Sequence, residues 1–166
     1  MKTKRRVNTT TKKLTLDLGW LPLCTDNQLK YMRGNYTTKA RVMRASIQKE
    51  LASHRTKIKR FFTKRRREWV EKTGLAVSYT LEHNESVFRN KEGLVSMRKG
   101  DATNYLKGLN DFIFNNNNHC PNSIRIDDRF ITCCTIHQKG SGEEDNYKVD
   151  KHDAYVIVEL YVRGEK

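Results

Sequence analysis

No stretch of this 166-residue chain stays apolar for long. None approaches the ~18–20 consecutive apolar residues a helix needs to cross a bilayer, and the opening MKTKRRVNTTTKK has no apolar segment behind its charges to serve as a signal peptide. No lipidation motif appears. The expectation is a cytoplasmic, nucleoid-associated chain with no membrane partner. Cysteines are few and badly spaced for chemistry. Cys24, Cys120, Cys133 and Cys134 form no C-x-x-C pair, and adjacent strand residues point to opposite faces, which argues against structural zinc and against disulfides. A Walker-type glycine loop, a G-x-S-x-G turn and an H-E-x-x-H helix are all missing, so no small-molecule cofactor is expected. The five histidines are scattered, and no internal repeat is visible.

Acid is the other shortage. Nineteen Asp and Glu stand against thirty-three Lys and Arg, a formal charge of +14 and a sequence pI near 9.8. Such a field draws polyanions from a distance, and nucleic acid is the partner it points to. The length suits one domain with a core of its own. At 36% apolar residues the chain is polar for a globular protein yet able to fold.

Residues 1–12 are basic, Thr-rich and without periodicity: an arm, either disordered or touching phosphate. Residues 13–166 read as one domain. KLTLDLGW (13–20) alternates Leu14, Leu16 and Leu18 with polar neighbours, the pattern of a half-buried strand. From Thr37 or Thr38, apolar positions recur at Met43, Ile47, Leu51, Ile58, Phe61 or Phe62, and Trp69 until Gly74, which predicts one long helix or two in sequence. LAVSYTLEH (75–83) is a second alternating strand, 103–114 a helix, and FITCCTIH (130–137) and AYVIVELYV (154–162) two further strands, joined by a flexible hairpin connection over 138–153. This order describes a single-domain α+β fold, a mixed β-sheet with helices packed on it.

Basic residues concentrate where no acid balances them. Lys39, Arg41 and Arg44, then Lys57, Lys59, Arg60, Lys64, Arg65, Arg66 and Arg67, lie along the helical segment; Lys30 and Arg33 fall in the loop before it, and Arg98 and Lys99 precede the motif discussed next. Together they form a candidate phosphate-facing surface for DNA.

Against that background, KGDATNYLKGLND (99–111) stands out for its acids. With Asp101 at a helix start, Asn104, Lys107 and Asp111 follow at spacings of three, three and four, so all project along one stripe. A second acidic pair, Asp127 and Asp128, lies where the next strand begins. If the chain folds back to bring Asp128 beside Asp101, a divalent cation could bind between carboxylates in a strongly positive protein, the pattern of a metal-dependent nuclease. The spacing equally allows a plainer arrangement in which Asp101 only caps a helix, Asp111 pairs with Lys107, and Asp127–Asp128 is a turn.

The same residues carry a resemblance. DATNYLKGLNDFIF followed by IDDRFI is similar to the signature of RusA-type Holliday junction resolvases, D-x-D-N-x-x-K-x-x-x-D-A-L leading to D-D-x-x-V. LTLDLGWLPLCTDNQLKY resembles that family's first strand and Asn-bearing loop, and TTKARVMRASIQKE its first helix. The resemblance covers most of the chain; residues 1–12, the basic stretch 55–72 and the connection 138–153 look like additions. It implies a RusA-like fold, a homodimer, branched DNA in the form of a four-way junction as substrate, and Mg²⁺, with Mn²⁺ as the other candidate. It implies Asp101 and Asp128 as metal-ligating carboxylates, Asp127 as a neighbouring acid able to ligate, Lys107 as a cation beside the scissile phosphate, and Asn104 and Asp111 as residues shaping the site. Thr103 stands where the family motif has its second aspartate and would be a weaker, neutral ligand. Two alternatives stay open: a non-catalytic nucleic-acid-binding protein on this scaffold, and a nuclease acting on flaps, forks or RNA, since phosphate contacts carry no address.

Overall fold

The computed structural model describes residues 10–30, 35–96, 100–115, 118–150 and 153–164. Arg33, Arg98, Lys99 and nearly all of the basic arm lie outside the described residues.

Alternation does what period-two patterning requires. Strand β1 (Thr11–Leu21) buries Leu14, Leu16, Leu18 and Leu21; β2 (Leu75–His83) buries every second residue from Leu75 to His83; β4 (Ala154–Arg163) buries Ala154, Val156, Val158, Leu160 and Val162. With β3 (Ile131–Gly140) they form a four-stranded sheet in the order β1-β4-β2-β3. β4 runs antiparallel to both β1 and β2, whereas β2 and β3 are parallel, so the sheet is mixed and the chain is a single α+β domain. The alternate residues Ala76, Ser78, Thr80 and Glu82 of β2 and Tyr155, Ile157, Glu159 and Tyr161 of β4 lie on the other, less buried face.

The expected hairpin between the last two strands does not form. β4 inserts between β1 and β2, and β3 goes to the edge beyond β2. Composition explains the exchange: β4 fills its inner face with Val, Leu and Ala, whereas β3 offers Cys, Thr, His, Gln and Lys, which suit a strand with one neighbour. The 138–153 connection, expected to be flexible, is tied down where it is described. Asn146 N donates to Asn84 Oδ1, Asn84 Nδ2 to Asn146 O, Ser86 N to Asp145 Oδ1, and Gly142 N to Glu85 Oε2, all against the first turn of α5 (Glu85–Phe88).

The long basic helix divides into three: α2 (Thr38–Ser53), α3 (Arg55–Phe61) and α4 (Lys64–Thr73). His54 interrupts the first boundary, its Nε2 2.7 Å from the Asp17 carbonyl oxygen. At the second, Thr63 is a fresh N-cap whose hydroxyl accepts from Arg66 N. Inner faces supply the helical layer of the core: Ala40, Met43, Ile47 and Leu51 from α2, Ile58 from α3, Val70 from α4, and Leu109, Phe112, Ile113 and Phe114 from α6 (Leu106–Phe114). A one-turn α1 (Asp26–Leu29) closes one end with Leu29.

Gly74 joins α4 to β2 with φ +85°, a left-handed backbone suited to glycine, and its missing side chain leaves room for Thr132. Gly74→Ala should cost about 1–3 kcal/mol in urea unfolding through strain and collision together. Adding Thr132→Ala should recover the collision part but not the strain.

Candidate phosphate-handling site

Helix α6 is tied to the sheet by a polar bond beneath its apolar face. Tyr79 is completely buried in β2, and its hydroxyl donates to Asn110 Oδ1 at 2.6 Å. A short 3-10 turn, Ala102–Tyr105, leads into α6, with Asp101 at its N-cap position but making no capping bond through its side chain. The helix runs back along β3. Its start lies at the strand's far end, where Gln138 Nε2 donates to the Gly100 carbonyl at 3.2 Å, and its second half lies by the turn Asp128–Phe130 that enters β3.

That second turn is held by α2. Gln48, buried at 7% exposure, donates from Nε2 to Phe112 O (2.6 Å), accepts at Oε1 from Asn122 N (2.8 Å) and offers its own carbonyl to Asn122 Nδ2 (3.1 Å). Ile124 N donates to Ile113 O, so the chain after α6 is pinned to the helix it has just left. Arg67 completes the clamp: its guanidinium donates to the carbonyls of Ile124 (2.9 Å), Arg125 (3.2 Å) and Phe62 (3.3 Å). Arg125 is held at φ +58°, alone among the described non-glycine residues in positive φ. Such strain persists only where the surroundings impose it, and Arg67 is the group that does so here.

The result is a cavity of about 440 Å³ lined by Arg67, Asn110, Asp111, Asn115, Arg125, Asp127, Asp128 and Arg129 among others. Asp127 caps its own turn, Oδ1 accepting from Arg129 N at 3.1 Å, and its other oxygen lies 3.6 Å from Arg129 Nε. Asp111 is half-buried, and burial pushes its carboxyl above the usual range; Lys107 and Lys30 oppose that rise, while Asp128 and Asp26 add to it. Asp26, at the start of α1, is raised for the same first reason and is drawn back by the amides of Lys107 and Gly108 and by the Lys107 charge. Its Oδ1 is buried with no hydrogen-bond partner among the described residues. Lys107 is thus the cation between two desolvated carboxylates, and Asp128 faces Asp111 across the cavity.

The acids converge differently from the arrangement expected of them. Asp111, Asp127 and Asp128 come together. Asp101 does not join them: seven residue steps of extended chain, roughly 23 Å of strand, lead from Ile131, three residues after Asp128, to Gln138, which holds Gly100. Folding back does occur, but it returns the chain to the middle of α6 and not to its start. Asn104 and the exposed Thr103 lie in the 3-10 turn at the Asp101 end. The set Asp101, Asp128, Asp127 and Thr103 therefore does not fit one metal ion within one chain, and among the described residues no three His, Cys, Asp or Glu side chains are grouped to hold one.

The basic surface also divides. Lys39, Arg41, Lys59, Arg60, Lys64 and Arg65 are exposed on α2–α4. Others are turned to structural use: Lys57 Nζ donates to Thr15 O, Arg66 to Phe61 O while covering the Phe61 ring, and Lys30 and Arg44 flank the Tyr36 ring. Arg67 spends its donors on carbonyls and is less basic than usual, first because it is buried and then because Arg125 is near. Sequence reasoning missed Asp26, Gln48, Arg125 and Arg129. Only Arg125 and Arg129 carried a usable signal, since they flank the Asp127–Asp128 pair in SIRIDDRF.

Compared with protein-family models, curated proteins and solved structures, the chain matches none.

A raised carboxyl pKa means that folding favours the protonated form. The contribution of Asp111 to stability is therefore full below its unfolded pKa and is lost as pH rises through the higher folded value. Asp111→Asn should melt at a higher temperature than the parent chain at pH 7, and the gain should vanish as pH falls below the ordinary aspartate value of about 3.9. A gain that grows on acidification would contradict the assigned shift.

Proposed function

We propose that the chain is a structure-selective endodeoxyribonuclease, dependent on Mg²⁺ or Mn²⁺, that binds four-way DNA junctions as a homodimer and cuts them in symmetrical pairs, as the resemblance to RusA-type resolvases implies. The observation that carries the reading is the mixed cavity at the end of α6, where Asp111, Asp127 and Asp128 share one space with Arg125 and Arg129. Exposed guanidiniums at its rim suit the bidentate grip of a phosphate. Asp111, with its raised pKa, is nearer the range in which a carboxylate usefully accepts a proton from an attacking water. Lys107, on the same helical stripe, would offset charge that develops on the phosphate. Exposed cations on α2–α4 would hold the duplex arms through their phosphates, without reading sequence.

A second reading, a junction- or nucleic-acid-binding protein without catalysis, is favoured by one observation: Asp101 and Asp128 are held at opposite ends of β3. A labelled four-way junction incubated with the protein and Mg²⁺ or Mn²⁺ separates the two. Paired nicks lost in Asp128→Asn and Asp111→Asn support the proposal. Binding that survives both variants, with no metal-dependent nick in any substrate, establishes the second reading. Cuts confined to flaps, forks or RNA would replace the junction as target. For the binding surface, the triple substitution Lys59→Ala, Arg60→Ala, Lys64→Ala should weaken junction and plain-duplex binding alike and lower the slope of log K against log salt by about 2–3.

A further inference from the structure

The α6 cavity contains parts that a phosphate alone cannot use. Arg125 and Arg129 line it, but so do Glu71, Asp111, Asp127 and Asp128, carboxylates that repel an anion entering by itself. Among the described residues no three acids are grouped around one metal ion, so a cation does not account for the whole set. The wall also includes the half-buried ring of Phe130, with the exposed Arg129 guanidinium 4.8 Å from the ring centroid. Aromatic rings and guanidinium planes are the surfaces on which unstacked bases settle. At about 440 Å³ the space has the size of a small-molecule pocket, whereas a duplex presents its phosphates on a convex ridge and cannot fill a hollow.

We propose that the cavity takes one unpaired nucleotide carrying an amino-bearing base, an inference that rests on the reading of this cavity as the place where DNA is met. A nucleotide is anionic at one end and offers hydrogen-bond donors at the other, which is the polarity of the lining. Its phosphate would meet the guanidinium of Arg125, its base would stack on Phe130 and Arg129, and the amino group of guanine, adenine or cytosine would donate to Glu71 or Asp127. Thymine turns carbonyl oxygens toward those acids and is the disfavoured base. The loop that carries Arg125 and Asp127 is set before any ligand arrives, since Arg67 holds the carbonyls of Ile124 and Arg125 and keeps Arg125 at φ +58°. Extruding a base costs least where it is already unpaired. The pocket thereby gives a preference for disrupted pairing that phosphate contacts cannot give.

The test is binding in EDTA, read apart from any cleavage. One duplex is made fully paired, with a single dG bulge, with a dT bulge, and with an abasic bulge that keeps the bend but lacks the base. The full chain should bind the dG bulge about tenfold more tightly than the abasic one, the size of one base–aromatic stack. It should bind it about fivefold more tightly than the dT bulge, the size of a hydrogen bond. Phe130→Leu, which keeps apolar packing without the ring face, should bring the dG-to-abasic ratio near one, and Phe130→Tyr should restore it. Glu71→Gln combined with Asp127→Asn should remove the difference between dG and dT. In the parent chain, irradiation of a bulge carrying 5-iodocytosine should crosslink it to Phe130, a readout that does not depend on any variant folding. Equal binding of dG and abasic bulges, or a crosslink that maps to another element, overturns the proposal. Equal binding in a chain that still nicks junctions with metal overturns it alone, whereas a dG preference in a chain that nicks nothing overturns the nuclease reading alone.

Discussion

The hydroxyl of Tyr79 reaching Asn110 fixes where α6 lies on the sheet, and the site inherits its geometry from that contact. Leu109, Phe112 and Ile113 would pack acceptably with the helix slid by a turn, because apolar contact is not directional. A buried phenol with one partner is directional, and leaving it unmade costs about 1–3 kcal/mol. Tyr79 stands at full burial in the central part of β2, so its hydroxyl has no solvent to fall back on. Once Asn110 is pinned, Lys107 and Asp111, three residues before and one after, take up fixed heights along β3, and Asp111 is delivered to the end where Asp128 enters the strand.

Gln48 and Arg67 do for the return loop what Tyr79 does for the helix. A loop leaving a helix and entering a neighbouring strand would otherwise be free to place Arg125 to Arg129 in many ways. Gln48 binds it at Asn122 and Arg67 at Ile124 and Arg125, from two different helices. Arg67 is consumed in this work, and Lys57 and Arg66 of the same run are likewise spent on the carbonyls of Thr15 and Phe61, which is why the helical segment holds more positive charge than its outer surface displays. A count of lysines and arginines therefore overstates the charge that surface displays, while Arg125 and Arg129, which line the cavity, sit outside the run altogether.

Much of the fold was legible because it depends on local periodicity. Leu14, Leu16 and Leu18 and the nine residues of LAVSYTLEH each predict a strand with one buried face, AYVIVELYV predicts an apolar strand, and each forms one. Strand order was not legible: adjacency in sequence suggested that β3 and β4 pair, and the outcome turned on which strand could better fill a two-sided position. The helix break at His54 was hidden for a related reason, since it coincides with a contact to a carbonyl of β1, that of Asp17, 37 residues earlier in the chain. At the site, the placing of Lys107 and Asp111 one turn apart on α6 was readable from spacing, whereas Asn104, expected on the same stripe, lies in the 3-10 turn before the helix; the approach of Asp127–Asp128 to that helix was readable as a possibility. Which end of the helix they approach was not, because it is decided by Tyr79 and Gln48, neither of which announces itself as functional.

The distribution of acid ties these points together. In a chain of this charge, a carboxylate on the surface is stabilised nearly anywhere by the surrounding field. Asp26 and Asp111 are instead partly buried, where desolvation raises their pKa despite Lys107 beside both of them. Burying acids in that way works against folding, whereas Asp17, Glu82 and Glu159 on the less buried sheet face are each matched to a hydroxyl or ammonium, as in Tyr155–Asp17, Lys139–Glu82 and Lys13–Glu159. Satisfied acids lie on the sheet and strained ones gather about α6. Lys107 faces both Asp26 and Asp111, and the amides of Lys107 and Gly108 reach Asp26, yet burial outweighs these partners, so the acids whose burial works against folding are the ones packed about α6.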